Sequence, residues 1–175
     1  DWVVSAIPAQ QAAQLWPEDT SFYTEVETAK MEGCFTLMLG FVAGLPVDYQ
    51  AALVRSEDIS WISVNSSKPD RNSATSLLVH STNCWATQHD SLDRNEALQY
   101  LLKQTSLVMG QDVSHADHKA IHQWRYANCR KRTGETHFID HASRSGACGD
   151  WLIKGRVEAA FTSGYSIAQD ILSQL

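Results

Sequence analysis

The chain has 175 residues, with 14 Lys and Arg against 20 Asp and Glu for a formal net charge of -6; 43% of it is hydrophobic and 19% charged. That is one domain's length of chain with enough apolar residues to bury a core, which excludes disordered, collagen-like and low-complexity classes. The acidic balance argues against a nucleic-acid partner, because phosphate neutralisation needs a surplus of cations and only Arg130-Lys131-Arg132 forms a basic run.

Residues 2–7, Trp-Val-Val-Ser-Ala-Ile, have the length and apolar character of a buried parallel strand, and Pro8 then opens a helix over Ala9 to Trp16. A parallel strand is covered on both faces, so its position at the first residues suggests that the numbering starts inside a larger fold. Gly33 to Val42, Tyr49 to Arg55, Ile59 to Asn65 and Ser76 to Ser81 read as strands separated by turn residues, an order that suggests an antiparallel sheet. Asp93-x-x-Glu96 then forms a capping box. Ala97, Leu98, Leu101, Leu102, Thr105 and Val108 share one helical face up to Gly110, and this helix is expected to lie on the sheet. Ala120 to Ala127 and His137 to His141 read as further strands, and Arg156 to Leu175 as a helix rich in small residues.

The expected fold class is therefore α+β: an antiparallel sheet with covering helices as an inserted domain, flanked by a terminal strand and helix of a second layer. The expected divisions are 1–16, 17–145 and 146–175, with the two chain ends meeting in one layer. No apolar stretch approaches the roughly 18 to 20 residues that span a bilayer, and Asp1-Trp2-Val3-Val4 lacks a basic leader, so a cytoplasmic location is expected.

Cys34, Cys84, Cys129 and Cys148 are far apart and lack a C-x-x-C pair, which points to free thiols. His115-x-x-His118-x-x-x-His122 would share a helical face suited to zinc, but the extended character of the following residues sends His115 to the opposite side, and no metal site is assigned. No G-x-S-x-G elbow, P-loop or G-x-G-x-x-G fingerprint occurs in the 175 residues. The specific signal is Ala147 to Gly164: a strand ends at Gly149-Asp150, a short loop follows, and a helix begins near Gly155-Arg156-Val157. Its free backbone N–H groups and positive dipole end suit an electron-rich ring edge or a phosphate, and Asp150 beside them can accept from sugar-like hydroxyls. Ordinary capping of a helix start explains the same residues.

GDWLIKGRVEAAFTSGYSIAQDIL closely resembles the carboxy-terminal flavin-binding segment of the renalase-like, FAD-dependent amine-oxidase family. WVVSAIPAQQAAQL, VNSSKPDR with LLVHSTNCWATQH, and HQWRYA resemble further segments of that family in the same order, so the resemblance covers nearly the whole chain. It makes the inserted sheet a substrate domain and the flanking strand and helix part of an FAD-binding, Rossmann-like layer. It implies FAD as cofactor, with the ribityl chain near Gly149 and Asp150, the flavin pyrimidine edge over the helix start at Arg156, Val157 and Glu158, and Ala6, Ile7 and Pro8 on a crossing close by. It also implies that Asn65, Trp85, His89, Trp124 and Tyr126 wall the substrate pocket, although Trp85 and Trp124 equally read as core rings and Asn65 and His89 as surface residues. No catalytic side chain is assigned. The implied parent activity is oxidation of a reduced substrate, of the dihydronicotinamide type or else a primary amine, with dioxygen as acceptor. The alternative is a substrate-binding or interaction module without flavin. The chain resembles the later part of such an enzyme, without the dinucleotide-binding motif that holds the ADP half of FAD. It is accordingly expected to be inactive and colourless alone, and to self-associate through its terminal strand and helix.

Overall fold

The computed structural model of the chain describes residues 1–56, 58–71 and 74–173. It is an α+β protein in two compact units, Gly33–Arg125 and the combination of Asp1–Glu32 with Tyr126–Leu175. These compact units divide the chain after Glu32 and before Tyr126, whereas the expected divisions are 1–16, 17–145 and 146–175. The reason is a small core in which Val26 of the unforeseen helix α2 (Tyr23–Glu27) and Phe22 at its N-cap pack with Ala9 and Ala12 of α1 (Ala9–Leu15) and with Trp151. Residues 17–32 and 126–145 therefore belong with the chain ends.

In the end unit, β1 (Val3–Ser5) runs parallel to β8 (Ser145–Ala147), and β7 (Phe138–Asp140) pairs antiparallel on the other side of β8. β8 was legible only as the strand ending at Gly149-Asp150; its Ser-Gly-Ala sequence is short and small, and its burial comes entirely from neighbours. Gly146 explains how α5 (Val157–Leu172) packs on this sheet. A Cβ at this position would lie 2.6 Å from Ile167 Cδ1 and 2.8 Å from the Phe138 carbonyl oxygen, a space that only glycine leaves open. The last two residues of the expected final helix lie outside the described residues.

The second unit is built on a sheet of order β3-β4-β5-β2-β6. Its strands are β2 (Glu32–Phe41), β3 (Ala51–Leu53), β4 (Ile59–Val64), β5 (Thr75–Ser81) and β6 (His118–Asn128). β2 and β6 each continue into the end unit by their outermost residues. The expected strand from Tyr49 to Arg55 shortens to three residues at the sheet edge. Period-2 alternation places Phe35, Leu37, Leu39 and Phe41 of β2 and Leu77 and Val79 of β5 on one face, all buried. Trp85 of α3 (Asn83–Gln88) and Ala97, Leu101 and Leu102 of α4 (Arg94–Met109) join the same core. The helix expected over the sheet begins at Asp93, whose carboxylate accepts from the Asn95 and Glu96 N–H groups, and ends at Gly110 with φ of +66°. α3 begins at a Thr82 cap that accepts from the Trp85 N–H, and its six residues are too few for a periodicity to show.

Candidate functional site

The chemistry-bearing residues of the end unit gather where β1 and β8 finish. Beyond β1 the chain turns through Ala6, Ile7 and Pro8 into α1, and beyond β8 it turns through Cys148, Gly149 and Asp150 into a single 3-10 turn, Asp150–Leu152. The Cys148 N–H donates to the Ser5 carbonyl at 2.9 Å, which carries the parallel pairing one residue past β8 and sets the two exits side by side. Between them lies a cleft of about 280 Å³, lined by Ala6, Ile7, Pro8, Gly149 and Asp150, with Tyr126 and Trp151 also on its wall. Met31, Cys148, Ala160 and Gly164 complete it and were not foreseen. Ala160 and Gly164 carry the one available signal, small residues one turn apart on a helix face.

Several bonds fix the rim. The buried Trp151 ring donates through Nε1 to the Ile7 carbonyl at 3.1 Å, tying the two loops together. The Gly149 N–H donates to Ser163 Oγ at 2.9 Å, and that fully buried hydroxyl donates to the Thr136 carbonyl. Ser163 thereby anchors the loop to α5. The Asp150 carbonyl accepts from the Ile153 and Lys154 N–H groups at 2.9 and 2.7 Å, closing the turn.

Desolvation in the cleft pushes the Asp150 carboxyl above the ordinary carboxylate value, opposed by the N–H groups of Trp151 and of Asp150 itself. A carboxylate offers about four lone-pair positions, so acceptor capacity remains for ligand hydroxyls. Cys129, whose Sγ–H donates to the Asp150 carbonyl at 3.5 Å, has its thiol pushed up first by burial and then by the Asp150 charge. Cys148 is likewise raised by burial. Both thiols are held protonated and away from nucleophilic chemistry. All four cysteines are free, with Cys84 alone exposed.

Arg156, Val157 and Glu158 stand at the start of α5 and are exposed, Val157 to 90%. They do not line the cleft themselves, but Val157 precedes Ala160 by three residues and so lies one turn from it on the same side of the helix. Arg156 is the N-cap in extended conformation and supplies no side-chain cap bond, which leaves the first-turn N–H groups for another acceptor. These groups suit a flavin nucleotide: a carboxylate for hydroxyls, uncapped amides for the electron-rich ring edge, and a helix face without bulk at Ala160 and Gly164.

The five residues expected around the substrate separate: Asn65, Trp85, His89 and Trp124 lie in the second unit and Tyr126 in the end unit. Trp85 is 3% exposed, with its ring against Phe35, His89 and Tyr100. His89 stacks on it at 4.5 Å and bonds the Trp85 carbonyl through Nδ1. Trp85 thus belongs to the helix-covered core, the alternative reading given for it, and His89 lies half-buried beside it. Trp124 instead lies on the sheet face turned away from α3 and α4, 54% exposed, with Nε1 donating to Thr36 Oγ1 at 3.1 Å. On that face the strand registers align Leu53, Trp61, His80 and Thr36 in one row across β3, β4, β5 and β2. His122 packs edge-on against Trp124 at 4.2 Å. Trp61, His80 and His122 were missed, although alternation in ISWISV, SLLVHS and HQWRYA marks them. Asn65 lies in the short turn Asn65–Ser67 and lines a separate cavity at the end of the sheet, and Tyr126 lines the cleft of the end unit. His115 packs against Phe41, and among the described residues no group of three or more His, Cys, Asp or Glu side chains could hold a metal ion.

The end unit thus holds a two-loop cleft with a carboxylate and an uncapped helix start, and the second unit an antiparallel sheet with an aromatic row on one face. The model of the flavin containing amine oxidoreductases matches residues 1–172, and the chain belongs to that family, whose cofactor is FAD. Solved structures agree in fold. A putative protoporphyrinogen oxidase from Exiguobacterium sp. 255-15 is 16% identical, with a TM-score of 0.73 over 100% of this chain and 42% of its own. Cyclohexylamine oxidase from Brevibacterium oxydans IH-35A is 14% identical, with a TM-score of 0.67 over 99% of this chain and 43% of its own. A putrescine oxidase redesigned in cofactor binding is 12% identical, with a TM-score of 0.69 over 99% of this chain and 43% of its own. The chain thus spans less than half the length of these structures.

Proposed function

We propose that this chain is the substrate-domain and flavin-contacting part of a renalase-like, FAD-dependent oxidoreductase that oxidises a dihydronicotinamide-type substrate with dioxygen as acceptor. The observation that carries this reading is the cleft that brings Ala6, Ile7, Pro8, Gly149 and Asp150 together beside the uncapped start of α5. Asp150 accepts hydroxyl hydrogens of the cofactor, and the N–H groups after Arg156, at Val157 and Glu158, stabilise negative charge at its ring edge. FAD supplies the two-electron acceptor for hydride and, with dioxygen, the route to hydrogen peroxide. Hydride transfer needs an oriented donor rather than an acid, so the protein's part is to stack and hold the substrate ring. In the second unit Trp124 offers an exposed aromatic surface for this purpose and Asn65 a polar contact; Tyr126 is the corresponding contact in the end unit.

The test uses the full-length protein that carries this chain. Flavin absorbance and peroxide formation with a reduced nicotinamide isomer are expected; absence of both overturns the reading, and turnover of a primary amine alone reassigns the substrate. Asp150→Ala is expected to weaken FAD binding about tenfold, equivalent to about 1.4 kcal/mol, with circular dichroism unchanged. Unaltered affinity in a flavin titration removes Asp150 from the site.

A further inference from the structure

The second unit holds a cavity that the cleft does not use. It lies where β2 and β5 end, has a volume of about 310 Å³, and is lined by Asn65, Ser66, Arg71, Thr75, Asp117 and His118, among others. Its hydrogen-bonding groups divide into two kinds. Ser66 Oγ accepts from the Ser76 N–H, Thr75 Oγ1 from the Leu45 N–H, and Asp117 Oδ2 from the Val42 N–H, at 3.2, 3.2 and 2.8 Å. Each of these groups gives one acceptor position to a backbone amide, and Asp117 keeps its charge and further lone pairs. By contrast, the Arg71 guanidinium, the Asn65 amide and the His118 ring have no hydrogen-bond or ion-pair partner among the described residues. Arg71 is donor-only and Asn65 carries two donors, so the unpartnered groups of the cavity, set against the single Asp117 carboxylate, offer donors to an acceptor ligand. Gly40 keeps the floor open, since a Cβ there would come within 3.2 Å of the His118 Cβ.

The cavity also shares a surface with the aromatic row. Gly40, Ser76 and His118 lie on the same sheet face as Thr36, His80 and Trp124 by register and alternation. From Thr36 to Gly40 is four residues along β2, about 14 Å at strand rise, a span longer than a single ring or a short amine.

From this geometry we infer that the cavity around Arg71, Asn65 and His118 is a phosphate subsite, which receives the phosphates of an extended nucleotide substrate whose ring rests on the Trp124 side of the sheet. Guanidinium recognises phosphate through paired N–H donors, and Asn65 and His118 complete the donor set. The substrate half of this inference rests on the function proposed above, whereas the phosphate site does not.

The inference can be tested by calorimetry on the 175-residue chain, which requires no turnover. Inorganic pyrophosphate and oxidised nicotinamide dinucleotide are expected to bind, and the dinucleotide at least tenfold more tightly than nicotinamide riboside. Arg71→Gln is expected to remove that advantage, and Asn65→Asp to reduce it by placing a negative charge in the cavity. Arg130→Gln, at an exposed cation paired with Glu32 in the other unit, should change nothing. Absence of pyrophosphate binding, or equal losses of pyrophosphate affinity in Arg71→Gln and Arg130→Gln, would overturn the subsite. Pyrophosphate binding without a dinucleotide advantage would overturn the substrate half alone. Failure to form peroxide in the full-length enzyme, with phosphate binding intact, would sink the redox function and leave the subsite standing.

Discussion

At Gly149 there is no room for a side chain: a Cβ would lie 2.5 Å from the Trp151 indole nitrogen and 2.6 Å from its Cδ1. The Trp151 ring is buried and bonded to the Ile7 carbonyl, so it cannot give way without opening the cleft. Gly149→Ala is therefore expected to destabilise the protein by about 1–3 kcal/mol, the usual cost of overpacking, as read from the midpoint of urea unfolding. An unchanged midpoint would show that the ring moves freely. His80, in the aromatic row, is a different case. Burial holds its imidazole below the ordinary histidine value of 6.5. The unfolded chain then binds the proton more readily than the folded one, so stability is expected to decline as pH falls through about 6.5 towards the lower folded value. His80→Gln, neutral throughout, should flatten this dependence in thermal melts between pH 7 and 5; an identical slope in both proteins would exclude His80 as its source.

The elements differ in how strongly their own residues specify them. α4 has its cap, its apolar face and its left-handed Gly110 terminus within the sequence. Asp93→Ala should cost about 1 kcal/mol, the typical value of an N-cap carboxylate, and Asp93→Asn should recover most of it; a chemical-denaturation midpoint common to all three would discount the cap. α5 depends on its surroundings. Ser163 and Ile167 are buried and Gly146 admits the helix to the sheet, yet Val157, Phe161, Tyr165 and Leu172 stand more than half exposed. Phe161 and Tyr165 stack on one another at 6.1 Å, a ring pair one turn apart.

On the scale of the whole molecule, that exposed helix face and the β1 edge, where Val3 is 60% and Val4 38% exposed, are apolar surface of the end unit with unpaired strand groups beside it. We expect copies of the 175-residue chain to associate through these surfaces. Light scattering should give a mass above 19.5 kDa that rises with concentration; a constant monomer mass would refute the association. No helix among the described residues is long and apolar enough to cross a membrane.

The sequence by itself determined the strands and helices whose residues alternate or recur strongly, the antiparallel order of the middle strands, and the Gly149-Asp150 turn with its following helix. Those features are local, set by side-chain period, turn chemistry and caps. It did not determine that Trp85 enters the helix-covered core while Trp124 stays exposed, because both are amphipathic rings and only the packing of α3 and α4 chooses their side. Nor did it place the divisions after Glu32 and before Tyr126, since α2 and β8 are too short to show a period and are held by Ala9, Ala12, Phe138 and Trp151 from other segments. The tertiary structure also decided which polar groups around Arg71 are already bonded, because hydrogen-bond satisfaction depends on neighbours that sequence spacing does not reveal.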